Sequence, residues 1–393
     1  MRILIATALR YDSGKALTYL PLGRLINHLL NHGHEICLLS GRSRQSNRYY
    51  NTPSHSRLLN IQLNTSLIEE AANFRYLGSM FRLLGWFVFQ VQVILPITTF
   101  NLRKYDLLYA YEIEAVPVLK LLSMLYRKKL ITRFQGTIVK EHVNFIMTPR
   151  LIPHYIALRT PSSLTIMTDD GTGGDKILKA IRKKEGRVEF LKNGIDEIFF
   201  KIPRRVRTAG APLNIFTCGR LVGWKNHDKC IRAFSLALQR TGSIRLFVLG
   251  GGPEMRRLEC LIRELSLRDY VLLMGHLNPT ELIKTICDCD VYLTSYEHSN
   301  VGKTLMEAMA SGKAILATDT GETSRFILHE ASGILCPPND MTCIATQIVR
   351  LEKDRALVDS LGVAARISAA ESFSPWSERL SYEQRLLESL ANC

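Results

Sequence analysis

The chain opens on a short apolar run, Arg2-Ile3-Leu4-Ile5-Ala6, of the kind that fills both faces of a parallel strand. After a loop, Leu20, Leu25, Leu29 and Leu30 recur at helical spacing, and Gly33 ends that helix. Glu35-Ile36-Cys37-Leu38-Leu39 then reads as a second strand. Strand, helix and strand predict a βαβ unit. The rhythm resumes with strands over 107–109, 130–132 and 164–167, and closes near residues 189–194.

After Pro203 and the basic residues Arg204, Arg205 and Arg207, a second series begins. It predicts strands over 213–218, 245–249, 270–274, 291–294 and 314–317. Helices between them carry apolar residues three and four apart, as in Cys230, Ile231, Phe234 and Leu238. The pattern predicts an α/β protein of two Rossmann-like, doubly wound domains, at 1–200 and 201–372. Residues 373–393 remain. Phe373-Ser374-Pro375-Trp376-Ser377 breaks the chain before a last helix with Leu380, Leu387 and Leu390 on one side. That helix is expected as a C-terminal cap or as a brace crossing back to the first domain.

The stretch 83–100 has no formal charge and contains Trp86, Phe87, Phe89, Val91, Val93, Ile94 and Leu95. Arg75 and Arg82 precede it, and Arg103 and Lys104 follow. A bilayer span needs about 20 apolar residues, and Gln90, Gln92 and Pro96 interrupt this run. A buried helix and a helix lying on a membrane surface therefore fit better than a span.

Composition narrows the class. With 46% hydrophobic and 22% charged residues among 393, the chain is an ordinary globular protein, which excludes disorder. The net charge is +15, with most of the excess before residue 200. That asymmetry points to an anionic partner: membrane lipid, nucleic acid or a phosphorylated substrate. The basic residues are dispersed and no nucleic-acid-binding motif is evident, so nucleic acid is not expected. Nine scattered cysteines, with Cys287 and Cys289 one residue apart, form no zinc spacing. No metal is expected, and the cysteines read as small buried hydrophobes of a reducing, cytoplasmic compartment. The start on a strand, without a signal peptide before it, leads to the same expectation.

Three segments of the second half carry candidate chemistry. In the first, Gly219-Arg220-Leu221 ends a strand and Lys225 follows. Two cations at the C-terminal edge of a sheet suit a diphosphate, although a solvated surface pair looks the same. The second, Leu249-Gly250-Gly251-Gly252-Pro253-Glu254, lets the backbone approach a ligand closely, or is a flexible turn. The third is Ser299-Asn300-Val301-Gly302-Lys303-Thr304, opening a helix that runs through Glu307 to Ser311-Gly312-Lys313. A P-loop needs glycine at 297, where Glu297 stands, so that motif is rejected. What remains is a helix N-terminus able to receive phosphate.

Taken in order, these segments resemble the retaining family 4 glycosyltransferases of GT-B fold. Asp288-Cys289-Asp290-Val291, Gly333-Ile334-Leu335, Lys192-Asn193-Gly194-Ile195-Asp196 and Gly33-His34-Glu35 fit the same family. The resemblance covers nearly the whole chain and implies two domains facing a cleft. It implies a sugar moved, with retention and without metal or other cofactor, from a nucleotide diphosphate sugar (UDP or GDP) to an acceptor hydroxyl. Arg220, Lys225 and Glu307 take the catalytic positions, with Glu307 on the ribose. Gly219, Gly250, Gly251, Gly275, His276, Glu297, Ser299, Asn300, Val301, Gly302 and Lys303 take the donor-binding ones. Gly14, Lys15, Glu112, Gln135 and Gly136 line the acceptor side. The basic first half and the stretch from Trp86 to Phe100 point to a lipid-linked or saccharide acceptor in envelope polysaccharide, lipopolysaccharide or glycolipid assembly, with an anionic membrane surface as a further partner.

The sequence also departs from the family. Its usual first glutamate, eight residues before Glu307, is Ser299, leaving Ser299, Asn300 and backbone amides, or Glu297, to face the donor sugar. A common first-domain histidine is replaced by Gln135, which hydrogen-bonds but does no acid-base work. The double glycine of the first loop is reduced to Ser13-Gly14-Lys15. A catalytically degenerate nucleotide-sugar-binding protein is the alternative these departures leave open.

Overall fold

The structure is a computed structural model that describes residues 1–10, 21–42, 56–65, 78–97, 101–137, 139, 151–181, 186–203 and 210–392. Gly14, Lys15, Arg75 and the basic stretch at 204–207 lie outside the described residues.

The chain forms two compact units. One comprises Met1–Asp169, Gly173–Leu191 and Ser377–Cys393; the other comprises Asp170–Thr172 and Lys192–Trp376. The chain therefore changes unit at Leu191/Lys192, a few residues before the position read from sequence, and again at Trp376/Ser377.

In the first unit the strands are β1 (Arg2–Arg10), β2 (Glu35–Arg42), β3 (Leu58–Asn64), β4 (Leu107–Tyr111), β5 (Lys129–Phe134), β6 (Leu164–Thr168) and β7 (Val188–Leu191). They form one parallel sheet in the order β3-β2-β1-β4-β5-β6-β7. Its helices are α1 (Pro21–Asn31), α2 (Gly78–Ile97), α3 (Val116–Tyr126), α4 (Ile152–Arg159) and α5 (Gly174–Ile181). Every residue of β4 and β6 is buried, as expected of parallel strands covered on both faces. The edge strand β3 was missed from sequence. Its signal was present in Leu59, Ile61 and Leu63 alternating with Asn60, Gln62 and Asn64.

Residues 83–97 of the apolar stretch lie in α2, which starts earlier, at Gly78, and runs through Pro96. By length and composition it is apolar enough to cross a bilayer. Yet Trp86, Phe89, Val93 and Ile97 are buried in the core of this unit. Gln90 pins the helix in place. Its Nε2 donates to the Glu114 carbonyl (2.8 Å) and its Oε1 accepts from the Val118 amide (3.1 Å).

The second unit repeats the plan with β8 (Leu213–Cys218), β9 (Ile244–Leu249), β10 (Val271–Gly275), β11 (Val291–Thr294), β12 (Ala314–Thr318) and β13 (Ile334–Cys336). The order is β10-β9-β8-β11-β12-β13, all parallel. Its longer helices are α6 (His227–Leu238), α7 (Met255–Glu264), α8 (Pro279–Cys287), α9 (Lys303–Ala310), α10 (Met341–Lys353) and α11 (Arg355–Ser372). In both sheets the chain leaves its first strand in one direction and returns on the other side, between β1 and β4 and between β8 and β11. Open α/β sheets bind ligands at the carboxyl ends of strands flanking such a reversal.

The last helix, α12 (Trp376–Ala391), packs within the first unit. Glu383 on α12 is buried, accepts from the Tyr109 hydroxyl (2.5 Å) and pairs with Arg379 Nη1 (2.7 Å). Buried Arg133 on β5 adds a second positive charge beside that carboxylate.

Candidate functional site

At the carboxyl ends of β8, β9 and β10 the backbone is laced together through glycine. The Gly219 amide donates to the Leu249 carbonyl (2.9 Å), and the Gly250 amide to the Gly275 carbonyl (2.8 Å). Gly250 has φ +131°, and a β-carbon on it would lie 2.0 Å from the Gly219 carbonyl oxygen. No side chain fits there. Gly250→Ala is expected to cost about 2–4 kcal/mol through backbone overlap and a left-handed residue. The unfolding midpoint of the intact chain, followed by circular dichroism, should fall by about 5–10 °C; an unchanged midpoint would show that the strand ends give way freely.

Lys225 lies over this glycine floor. Its Nζ is 3.1 Å from where a Gly219 β-carbon would stand, so an alanine at 219 would press on the ammonium. Two aromatic rings flank it: the centroid of Tyr296 is 3.8 Å from Nζ and that of Trp224 is 5.0 Å away. The negative ring faces attract the cation and fix where it stands. Tyr296 is itself immobilised, buried and donating its hydroxyl proton to the Cys218 carbonyl (2.6 Å). Sequence reasoning missed Tyr296 and Trp224, although Trp224 directly precedes Lys225 and Tyr296 directly precedes Glu297.

Glu307, on the second turn of α9, is buried, and its Oε1 lies 3.3 Å from Lys303 Nζ, one helical turn back. Glu307, Lys225 and Lys303 all act electrostatically on the Cys218 thiol between them, whose pKa burial pushes up to about 12. The structure thus brings Lys225, Lys303, Glu307 and the Gly219 turn around one point. Arg220 stands exposed at the rim next to them. His276 is exposed just past Gly275, with its β-carbon 4.0 Å from the place a Gly251 β-carbon would take.

The loop ahead of α9 is built differently from expectation. Buried Asn300 spends its side chain inside the protein. Its Oδ1 accepts from Thr294 Oγ1 and the Tyr296 amide, and its Nδ2 donates to the Thr318 carbonyl and Thr320 Oγ1. Ser299 Oγ donates to the Asp170 carbonyl (3.0 Å) and accepts from the Val301 amide (3.1 Å). Those two side chains and the Val301 amide shape the loop, because a buried polar group must find a partner there. The amides outside the helix ladder therefore lie from Gly302 onward, at the first turn of α9. Glu297 is exposed, and its amide donates to the Trp224 carbonyl (2.9 Å), which ties this loop to the one bearing Lys225.

The first unit gathers its own candidates. Glu112, at the end of β4, has φ +69°, rare for a residue with a β-carbon. Its carboxylate accepts from the Gln135 amide (3.1 Å). The Gln135 side chain donates to the Tyr111 hydroxyl and accepts from Thr168 Oγ1 (3.3 Å). Gly136 follows with φ +112°. A strained acidic residue, a fixed amide and a glycine turn thus cluster at the ends of β4, β5 and β6. Among the described residues no group of three or more His, Cys, Asp or Glu side chains is arranged to hold a metal ion.

The model of the glycosyl transferases group 1 family matches residues 199–368, the span holding every second-unit candidate above. Over residues 199–368 the chain is thus similar to the group 1 glycosyl transferases. The chain is 33% identical over 210 residues to an exopolysaccharide phosphotransferase of Streptomyces coelicolor, covering 51% of this chain and 21% of that protein. It is 35% identical over 149 residues to the N-acetyl-alpha-D-glucosaminyl L-malate synthase of Bacillus anthracis, 38% of each. It is 27% identical over 188 residues to the amylovoran biosynthesis glycosyltransferase AmsK of Erwinia amylovora, 46% of each. These matches span less than half the length of each relative.

Solved structures match along the whole chain. Sucrose-phosphate synthase of Thermosynechococcus elongatus superposes with a TM-score of 0.74 at 16% identity, covering 99% of this chain and 98% of its own. HepE of Anabaena, solved with UDP and glucose, gives 0.70 at 17% identity, with 100% and 99% covered. At such identities the likeness establishes the fold, two parallel-sheet Rossmann-like units as in the GT-B glycosyltransferases.

Proposed function

We propose that the chain is a family 4 glycosyltransferase that moves a sugar, with retention of anomeric configuration, from a nucleotide diphosphate sugar to an acceptor hydroxyl. The observation that carries this reading is the cage of Lys225. One ammonium, held by two aromatic faces over a glycine floor, is a fixed positive charge that would meet that of a leaving diphosphate. Arg220 at the rim and the first-turn amides of α9 add to the neutralisation. Glu307 offers a buried carboxylate that accepts from ribose hydroxyls, with Lys303 balancing its charge. Gly275 and His276 receive the base. The departing phosphate takes the acceptor's proton, so the scheme calls for no metal and no dedicated protein base. The solved Anabaena neighbour holds UDP, which supports UDP or GDP as the donor nucleotide.

Glu112, Gln135 and Gly136 form the acceptor side of this scheme. A lipid-linked or saccharide acceptor in envelope polysaccharide, lipopolysaccharide or glycolipid assembly is supported by the exopolysaccharide and amylovoran names of the relatives. The protein works in the cytoplasm, at the inner face of the cytoplasmic membrane.

The test is calorimetric titration with UDP and GDP, followed by hydrolysis assays with UDP-, GDP- and ADP-sugars. One nucleotide should bind, and Glu307→Gln should weaken it about tenfold by removing a charge-assisted hydrogen bond. Binding of neither nucleotide overturns the proposal. A second reading, a nucleotide-sugar-binding protein without turnover, has Ser299 in its favour, since that side chain is consumed by the loop. It is upheld if nucleotide sugars bind but are neither hydrolysed nor transferred.

A further inference from the structure

Helix α2 buries one face and leaves the other bare. Met80, Leu84, Phe87, Val91 and Leu95 recur every three or four residues and are each more than half exposed, Phe87 at 60% and Val91 at 57%. Five large apolar side chains along one helix exceed the scattered hydrophobes of an ordinary surface. Helix α3, reached from α2 through Gln90, adds exposed Leu121, Met124 and Leu125.

Along the two helices and the residues that directly follow them, 98–105 and 127–129, every charged side chain is a cation. Neither α2 nor α3 contains an aspartate or glutamate. Arg103 and Lys104, just past α2, are exposed, and so is Arg127 at the end of α3. Lys128 Nζ donates to the Arg103 carbonyl (3.0 Å), so the basic residues that follow the two helices stand together. Arg82 adds an exposed cation near the start of α2.

We propose that this face of the first unit docks on a bilayer surface carrying anionic lipid, with α2 lying in the interface. Its apolar stripe meets the acyl boundary while the basic cluster meets the headgroups. The buried face forbids a span, since withdrawing Trp86, Phe89 and Val93 would empty the unit's core. A second copy of the chain is disfavoured, because neither helix offers the basic cluster an acidic partner. The proposal rests on the membrane location proposed above and supplies its contact surface, but not on the sugar-transfer chemistry.

The test is flotation of the full chain with phosphatidylcholine vesicles, with and without about 30 mol% phosphatidylglycerol, at about 50 mM and about 500 mM salt. The protein should float with anionic vesicles at low salt and much less at high salt. Phe87→Ser with Val91→Ser should weaken binding about tenfold or more by removing inserted apolar area. Arg103→Ala with Arg127→Ala should weaken it about 30-fold, at about 1 kcal/mol per cation. Unfolding midpoints near that of the parent chain establish that both variants fold. Failure of the parent to float at low salt overturns the proposal, as does equal flotation of both variants. So does a parent dimer that the Phe87/Val91 variant dissociates without any vesicle binding. UDP titration of the same samples separates the readings: flotation without nucleotide binding leaves the surface standing and removes the donor site.

Discussion

Lys225→Ala is expected to lower turnover about a hundredfold to a thousandfold while leaving the unfolding midpoint unchanged, a loss typical of deleting a preorganised charge at a developing anion. Its ammonium is half-buried at the strand ends, so truncation opens no core cavity. The catalytic cost is large because the neighbouring cation, Lys303, is spent on Glu307, 3.3 Å away. His227 lies close by, but burial first and Lys225's charge second push its pKa down to about 4, so it stays neutral near pH 7. Arg220 is exposed to water and weaker in effect. Single-turnover kinetics with the preferred donor, alongside thermal unfolding, checks this; full activity in the variant would remove Lys225 from the chemistry.

The second large effect falls on stability. Glu383→Ala should destabilise the first unit by about 3–5 kcal/mol, since it strands buried positive charge at Arg379 and Arg133. At the size of this unit that is a fall in midpoint of about 10 °C, readable by calorimetry. The same group sets an acid dependence. Burial alone raises the Glu383 carboxyl, but Arg379 and Arg133 outweigh it and hold the pKa below its ordinary value. A depressed carboxyl contributes stability that is complete above the unfolded pKa, about 4.5, and is lost as pH falls through the folded one. Glu383→Gln should remove that part of the acid sensitivity, and a parent and variant with parallel midpoint-against-pH curves would refute the assignment.

Most of both sheets was legible because parallel strands buried on both faces are written as unbroken apolar runs. Residues 213–218 and 291–294 were placed to the residue for that reason. Strand β3 was not, since an edge strand exposes one side and its polar residues dilute the run. At the candidate site, glycine turns and cations are readable in one dimension, so Gly219, Gly250, Lys225 and Glu307 could be named from the sequence, and the fold brings Gly219, Lys225 and Glu307 together. The internal bonding of Asn300 was not legible: an asparagine before a helix looks the same whether its side chain faces a ligand or, as here, bonds to Thr294, Tyr296, Thr318 and Thr320 within the fold. Tyr296 was missed because its ring meets Lys225 only after two loops from different strands converge, a relation that spacing does not encode.

The return of α12 to the first unit has a consequence for biogenesis. That unit's Arg133 finds its counter-charge on residue 383, which leaves the ribosome some 250 positions later. The N-terminal body therefore waits, incomplete, through synthesis of the whole second body, whereas the latter has all its strands once residue 336 has emerged. Nascent chains halted before residue 377 should present a protease-sensitive first half beside a protected second one, reversing the usual order in which a protein matures.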